Sequence, residues 1–336
     1  MSDVAKYSPT FICGHRGSGS ELLISELDYH PELLVFPDES KFFYVFYPIM
    51  LNNNISVEEK LHQIKTTILE YTKGQFLHSY NANRDYFDYD EFVNSFARQV
   101  LRDDSWESYL LSILQAYADA TPQPKDHLKR WVERSTSSEI YAQDIVEKFP
   151  TSKFIHNIRD PRDTYAVLKS RWQKKLRYLS DTPSLEALMQ SCITRYKLGF
   201  EIGIKNYSLL GENQYMFSRY EDVVTDKVTS LSEIAKFLDI DESEFTGNPT
   251  FCGLPWKDDD LRGVGNSIEM GDWEKTLDNH EAALLEFHFG DLIKFFDYEL
   301  QFSENERIKA ATMHYRWQNY TSAQKADLSL TEKSDF

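Results

Sequence analysis

The residues best suited to chemistry form a glycine- and serine-rich loop near the amino terminus, Gly14-His15-Arg16-Gly17-Ser18-Gly19-Ser20. An apolar run that begins at Phe11 precedes this loop, and an apolar-periodic segment follows it. This order predicts a strand, a tight loop and the amino terminus of a helix. Because the backbone N–H groups of such a loop converge and the helix dipole adds partial positive charge, the loop is suited to a phosphate-sized anion.

The loop nearly matches the P-loop pattern but lacks its lysine. Four residues separate Gly14 from Gly19, as that pattern requires, yet Ser20 stands where the pattern has lysine. The lysine neutralises the β- and γ-phosphates of a nucleoside triphosphate, so its absence disfavours an NTPase. An ordinary strand-to-helix turn, in which glycine and serine supply permissive dihedrals and a cap, remains the alternative.

Arginines follow a later apolar run, at the point where its strand is predicted to end. The run 153–158 leads into Arg159-Asp160-Pro161-Arg162-Asp163, after which a helix is predicted. The guanidinium group is suited to forked recognition of phosphate. Ion pairs between these arginines and the neighbouring aspartates are the alternative.

Two weaker segments lie farther along the chain. Ser218-Arg219-Tyr220-Glu221-Asp222 ends a short predicted strand, and acidic residues there are also expected as helix caps. Gly271-Asp272-Trp273 follows a glycine-bearing loop that contains Arg262. This last segment is suited either to fold over a ligand or to anchor its loop to the core through the tryptophan.

The elements that must hold these segments alternate between strand and helix. Strands are predicted at 11–14, 33–36, 153–158 and 215–218, and helices at 20–28, 57–71, 137–148, 163–176, 185–207, 228–238 and 279–297. Such alternation predicts an α/β fold of three layers, with a central parallel sheet covered by helices on both faces. Ligands of such sheets bind at the carboxyl ends of the strands.

The predicted domain organisation is a single domain over residues 1–305. It includes an aromatic-rich helical insertion at 74–125, a candidate wall of a substrate site, because such sites need shape and apolar contact. Residues 306–336 are predicted to form a carboxyl-terminal extension with a partly disordered tail.

Composition limits the function classes. The net charge of −17 argues against a nucleic-acid partner, which needs a basic face. The three cysteines are far apart, fit no metal-ligand spacing and favour a reducing compartment. Without a signal-like amino terminus or an apolar run long enough to cross a bilayer, we expect a cytoplasmic protein with no membrane span and no metal.

Taken in order along the chain, these segments resemble the sulfotransferases that use 3′-phosphoadenosine 5′-phosphosulfate (PAPS) as donor. The opening loop with His30-Pro31 is similar to that family's 5′-phosphosulfate loop, and Phe154 to Asp163 is similar to its 3′-phosphate motif. Phe217 to Asp222 resembles the family's Tyr-Glu-Asp strand end, and Gly271 to Trp273 resembles the close of its Arg-Lys-Gly-x-x-Gly-Asp-Trp segment. The resemblance spans roughly residues 10 to 300.

The resemblance implies a P-loop-like sulfotransferase fold with PAPS as co-substrate and 3′-phosphoadenosine 5′-phosphate (PAP) as product. It implies that residues 17–20 wrap the 5′-phosphosulfate, that Arg159 binds the 3′-phosphate, that Tyr220 lies against the adenine region and that Trp273 helps to close the site. The residues implied to bind the donor are Arg16, Gly17, Ser18, Gly19, Ser20, Glu21, Arg159, Ser170, Tyr220, Arg262 and Trp273.

Several of these residues depart from the family pattern. Gly17 stands where the family places a lysine or arginine, so Arg16 is the candidate loop cation. Ser170 lies one helical turn after the expected serine position, and Arg262 is the candidate substitute for the usual Arg-Lys pair. Glu21 replaces a small hydroxyl residue.

For the catalytic base the resemblance favours Glu39, because glycan-modifying members carry a glutamate followed by two phenylalanines at a similar place. A surface carboxylate paired with Lys41 is the alternative. His15 is a weaker catalytic candidate, since single histidines are more often structural. The acceptor is expected to be a hydroxyl or amine of a small molecule or glycan, and the protein a monomer or homodimer.

Two other functions remain open on the sequence. A P-loop kinase or NTPase belongs to the same fold neighbourhood, although the missing lysine disfavours it. A non-catalytic relative that binds a nucleotide without turnover is the other, because fold resemblance by itself does not separate these functions.

Overall fold

The computed structural model describes residues 3–51, 54–64, 66, 86–99, 105–174, 184–255 and 273–316. The chain divides into two compact units, one formed by Met1–Arg159 with Gly199–Ser267 and the other by Asp160–Leu198 with Ile268–Phe336. The predicted single domain over 1–305 stays a prediction.

The first unit contains a five-stranded parallel sheet in its described residues. The strands are β1 (Ser8–Cys13), β2 (Leu33–Glu39), β3 (Arg130–Arg134), β4 (Lys153–Ile158) and β5 (Tyr215–Arg219). Their order across the sheet is β2-β3-β1-β4-β5. Because β1 is central, the loop that follows it emerges between the carboxyl ends of β3 and β4.

Helices and their hydrophobic side chains cover both faces of this sheet. Phe11 and Ile12 are neighbours in β1 and belong to opposite cores, as the two-residue period of a strand requires. Ile12 packs with apolar residues of the helices Ser20–Leu27 and Lys227–Leu238, and Phe11 packs with the helix Trp106–Ala120 and many aromatic rings. The predicted three-layer α/β architecture is therefore confirmed.

Strand β3 is not predicted by the sequence pattern. Only Trp131 and Val132 are apolar among its five residues, yet all five are buried. The buried Arg130 guanidinium donates hydrogen bonds to the main-chain carbonyls of Leu238, at 2.7 Å, and Pro9, at 3.1 Å. These partners come from distant parts of the chain, so no local pattern reveals that a charged residue at this position can be buried.

The remaining α-helices described in the first unit agree with the predicted positions where they overlap. They are Tyr47–Met50, Val57–Ile64, Tyr89–Gln99, Ala142–Lys148 and Tyr220–Thr225. The helix predicted at 137–148 begins as a 3-10 turn, Ser138–Tyr141, preceded by Ser137 with a φ of +67°. The helix predicted at 57–71 is confirmed over Val57–Ile64, and residues 67–71 lie outside the described residues.

The aromatic-rich insertion predicted at 74–125 contains two helices in its described residues, Tyr89–Gln99 and Trp106–Ala120. Phe92 and Phe96 of the first helix and Tyr109 of the second are fully buried in the aromatic core. These rings stabilise the fold by burying large apolar surfaces. A role of this segment as a wall of the acceptor site stays a prediction, and residues 74–85 and 100–104 lie outside the described residues.

A short hairpin follows the helix Lys227–Leu238 along the chain. It pairs β6 (Thr250–Phe251) with β7 (Leu254–Pro255) in antiparallel fashion. Residues 256–272 lie outside the described residues.

The second unit is helical in its described residues. Its helices are Pro161–Lys174, Trp273–Thr276, Asn279–Phe295 and 304–316, and the long helix Leu185–Leu210 has residues in both units. A capping box of Asp278 and Glu281 begins the helix Asn279–Phe295. Across the described residues of the whole chain, no helix is long and apolar enough to cross a membrane. Of the carboxyl-terminal extension predicted at 306–336, residues 317–336 lie outside the described residues.

Candidate active site

The loop after β1 turns sharply at its glycines. Gly14, Gly17 and Gly19 have φ angles of +125°, +84° and +88°, a region in which other residues are strained. Within the turn, the Ser18 N–H donates to the His15 carbonyl at 3.1 Å. The sequence therefore has glycine at the three loop positions where the backbone requires it.

Side chains from neighbouring elements hold the loop in place. The Asn157 side-chain amide, near the end of β4, donates to the carbonyl of Ser18 at 2.5 Å. The Gly14 N–H donates to the Glu139 carboxylate at 3.2 Å. Gly14 also lies so close to β4 that a Cβ there would come within 2.3 Å of the Asn157 carbonyl oxygen. The sequence does not predict Asn157 or Glu139 as parts of the site.

The helix Ser20–Leu27 begins directly after the loop. The N–H groups of Leu22 and Leu23 donate to the Gly19 carbonyl at 3.0 and 3.4 Å. Those of Ser20 and Glu21 precede them in the first turn, where a helix offers no internal acceptor. These two N–H groups and the Ser20 hydroxyl are therefore suited to bind an anion.

The cation that contacts this helix start is Arg134, at the end of β3. Its Nη1 donates to the Ser20 hydroxyl at 3.3 Å and lies 3.9 Å from a carboxylate oxygen of Glu21. Arg134 is only 6% exposed, whereas Arg16 is exposed. The sequence analysis did not predict Arg134 as a site residue because it did not predict β3. The signal that identified Arg159, an arginine at the end of a strand, is also present at Arg134.

Glu39, the predicted catalytic base, lies beside this arginine. It is the last residue of β2, and its Cα is the register partner of the Arg134 Cα in β3. One carboxylate oxygen of Glu39 accepts a hydrogen bond from the Thr136 N–H at 2.8 Å. The strand pairing and this bond hold the Glu39 carboxylate next to the end of β3, where Arg134 stands.

Two further buried carboxyl groups border the site and were not predicted. Glu133 accepts hydrogen bonds from the hydroxyls of Ser40 and Ser135, and burial raises its pKa to about 7, with the nearby Glu39 adding to the shift. Burial also raises the pKa of Glu139 to about 7. Both groups titrate near neutral pH, unlike carboxyl groups in water.

His15, the weaker catalytic candidate, is buried within the loop. Its Nδ1 lies 2.7 Å from the carbonyl oxygen of the adjacent Arg16, to which it donates as the protonated nitrogen. This bond orients the ring within the loop.

Arg159 and Tyr220 come together at the ends of β4 and β5. Arg159 is 1% exposed, and its guanidinium carbon lies 4.3 Å above the centroid of the Tyr220 ring. The same ring contacts the loop, because a Cβ on Gly19 would come within 2.1 Å of its Cδ2 atom. The structure thus brings together the loop, Arg159 and Tyr220, as the strand-end interpretation predicts.

Arg162 has a different environment from Arg159, although both belong to one short motif. In the second unit its guanidinium makes ion pairs of 2.6 Å with both Asp160 and Glu286 and stacks over the Trp273 ring at 4.5 Å. The main-chain N–H of Trp273 donates to the Asp163 carboxylate at 3.0 Å. The ion pairs expected as the alternative are therefore present at Arg162, whereas the role of Trp273 in closing the donor site stays a prediction.

Ser170 and Arg262 are the two other residues that were predicted to bind the donor. Ser170 is half-buried on the helix Pro161–Lys174 in the second unit, where its role stays a prediction. Arg262 lies outside the described residues.

The sequence matches a family model described as "Sulfotransferase family" over residues 9–244, which is more than half of the chain. This range includes the loop, the five strands of the parallel sheet except for Ser8, and Arg134, Arg159 and Tyr220. Among proteins with curated descriptions, none matches the sequence significantly.

Solved structures with a similar fold include three sulfotransferases. The sulfotransferase domain of the Synechococcus olefin synthase has 19% identity and a TM-score of 0.49, covering 93% of this chain and 97% of that one. A sulfotransferase from Mycobacterium avium has 14% identity and a TM-score of 0.48, covering 89% and 79%. A mouse sulfotransferase complexed with PAP has 14% identity and a TM-score of 0.46, covering 85% of each chain. At these values the similarities add nothing to the family match.

Proposed function

The chain belongs to the sulfotransferase family, and we propose that it transfers a sulfuryl group from PAPS to a hydroxyl or amine of a small-molecule or glycan acceptor. The observation that carries this proposal is the association of two buried arginines, Arg134 and Arg159, with one anion-binding loop. PAPS has anionic groups at both its 5′ and 3′ positions, so a donor of this kind needs two separate cationic contacts. Arg134 is the last residue of β3 and Arg159 directly follows β4, and these are the strands on either side of β1.

The residues of the loop fit the 5′-phosphosulfate end of the donor. The N–H groups of Ser20 and Glu21, the Ser20 hydroxyl and the Arg134 guanidinium are all hydrogen-bond donors at the helix start. Arg134 supplies from the neighbouring strand the positive charge that the loop itself lacks at Gly17 and Ser20. Arg159 is the corresponding residue for the 3′-phosphate, because a guanidinium group matches the geometry of phosphate oxygens.

In the proposed mechanism, Glu39 accepts the proton of the acceptor hydroxyl or amine as the new bond to sulfur forms. Arg134 stabilises the negative charge that develops on the bridging phosphate oxygen as the bond between that oxygen and sulfur breaks. The loop holds the phosphosulfate so that the acceptor approaches in line with the bond that breaks. The donor supplies the sulfuryl group, and PAP is released.

Ligand binding tests the choice of donor. We expect PAP to raise the melting temperature of the protein and to bind in calorimetry, whereas ATP with Mg²⁺ should have a much smaller effect. Stabilisation by ATP with Mg²⁺ but not by PAP would support a kinase or NTPase and contradict the proposal.

Turnover tests catalysis separately from binding. The protein should release PAP from PAPS in the presence of a suitable member of a panel of phenols, alcohols, amines and glycans, with the sulfated product identified by mass spectrometry. If PAP binds but no member of a broad panel is sulfated, the non-catalytic alternative gains support.

Replacing Glu39 with glutamine should lower kcat by about 10²-fold while the Kd for PAP stays within about twofold. Glutamine keeps an oxygen that can accept the Thr136 N–H bond but cannot accept the acceptor's proton. Glu91→Gln, on an exposed helix face, is the matched control and should keep full activity. An unchanged kcat in Glu39→Gln would exclude Glu39 as the base.

Replacing Arg159 with alanine should weaken PAP binding by about 1.5–3 kcal/mol, or roughly 10- to 150-fold, because a charged hydrogen-bonding partner of the 3′-phosphate is lost. Adenosine 5′-monophosphate, which has no 3′-phosphate, should bind both proteins with similar Kd. Calorimetric titration of the two nucleotides into both proteins measures this difference. An equal loss for both nucleotides would contradict the assignment of Arg159 to the 3′-phosphate.

A further inference from the structure

The Tyr220 ring contacts both of the anion-binding parts of the site. Its face lies under the guanidinium of Arg159, at 4.3 Å from centroid to Cζ. Its Cδ2 and Cε2 atoms border Gly19, where an added Cβ would come within 2.1 and 2.7 Å of them. Tyr220 itself is buried, at the first turn after β5. One rigid ring therefore links the helix start at the loop to the arginine at the end of β4.

We propose that Tyr220 is a positioning residue that fixes the separation between the phosphosulfate loop and Arg159. In this role it makes the site selective for a nucleotide with anionic groups at both its 5′ and 3′ positions. The inference rests on the proposed function and assigns a role within the same site. It differs from the sequence prediction, in which Tyr220 binds the adenine region directly.

The physical basis is the cost of ordering a long side chain. An arginine has several rotatable bonds, and fixing its rotamers costs conformational entropy. The electrostatic attraction between the guanidinium of Arg159 and the ring face orders that side chain before the ligand arrives. A ligand with two anionic groups then binds both contacts at little further cost, since their spacing is already set.

The contact with Gly19 explains why the ring also constrains the loop. Gly19 has a φ of +88° and is the cap residue directly before the helix Ser20–Leu27. Because the Tyr220 ring occupies the space where a side chain at position 19 would lie, the ring and the loop cannot move independently. A shift of either would alter the distance from the loop N–H groups to Arg159.

A double-mutant cycle with PAP as the titrant tests this inference. The proteins are the wild type, Tyr220→Phe, Tyr220→Leu, Arg159→Ala and the combined Tyr220→Leu/Arg159→Ala variant, each examined for folding by circular dichroism. We expect Tyr220→Phe to keep the wild-type Kd within about threefold, because the ring is retained, and Tyr220→Leu to weaken binding about tenfold. The combined variant should bind PAP as Arg159→Ala does, within about threefold, because Tyr220 acts through Arg159.

Two results would overturn the inference. One is a Tyr220→Leu variant that binds PAP like the wild type. The other is a combined variant that shows the full product of the two single losses, as expected if Tyr220 contacts adenine independently of Arg159. If Tyr220→Leu does not fold, Tyr220→Met replaces it, because the flexible thioether fills the space without a ring face. Failure of the wild type to bind PAP would instead overturn the proposed function, so the two failures are distinguishable.

Discussion

Replacing Arg134 with alanine is expected to lower kcat for sulfuryl transfer by about 10²–10³-fold, the cost of removing a preorganised group that stabilises developing charge. The guanidinium group of Arg134 contacts the Ser20 hydroxyl at the start of the helix. Because Arg134 is buried, little water is present to screen its positive charge. Because its main task is to stabilise the leaving phosphate oxygen, the loss should be larger in kcat than in the Kd for PAP. Initial rates of PAP release at saturating PAPS measure the change.

Variants at related positions make this prediction specific. Arg134→Lys should retain more activity than Arg134→Ala, because the charge remains while the forked geometry is lost. Arg98→Ala is the control for loss of an arginine, since Arg98 is exposed and forms an ion pair with Glu91 at the protein surface. Arg16→Ala tests the sequence prediction directly. If Arg16→Ala abolishes transfer and Arg134→Ala does not, the loop cation is Arg16.

Replacing Arg162 with alanine is expected to lower the free energy of unfolding by about 3–5 kcal/mol, because it leaves buried carboxylates without their counter-charge. The Glu286 side chain is fully buried and that of Asp160 nearly so, and both pair with Arg162 at 2.6 Å. The stacking of Arg162 on Trp273 would be lost as well. Urea unfolding followed by circular dichroism measures the effect.

The exposed Arg98 again provides the matched control for stability. Its ion pair with Glu91 also has a length of 2.6 Å, but the two side chains are 55% and 39% exposed. Arg98→Ala should therefore cost less than about 1 kcal/mol. Equal stability losses in the two variants would show that burial does not set the cost of removing Arg162.

The contrast between Arg159 and Arg162 illustrates how far the sequence could predict the site. Both arginines stand in one five-residue motif at a strand end, and both are suited to bind phosphate. The strand ends at Ile158 and a helix begins at Pro161, and the two arginines belong to different units of the chain. Arg159 meets the Tyr220 ring, whereas Arg162 meets carboxylates of its own unit. The motif predicted that an arginine belongs to the site, but it could not predict that Arg159 and Arg162 have different partners.

By itself, the sequence determined the loop, the order of most strands and helices, and the three-layer fold. These features depend on local signals: glycines where φ is positive, apolar periodicity and the alternation of strand and helix. Glu39 was also predicted as a candidate base, and the structure fixes it at the end of β2. Local signals suffice here because each is set by residues close together in the chain.

Only the tertiary structure decided which side chains surround the loop. Strand β3 is largely charged, and its burial depends on partners far away in sequence. Arg134 and Ser20 are 114 positions apart, so only the pairing of β3 with β1 brings the arginine to the loop. A long-range strand pairing positions this charge, and a short sequence pattern carries no information about such pairing. The glycine-rich loop could be predicted from the sequence, but the cation beside it, Arg134, could not.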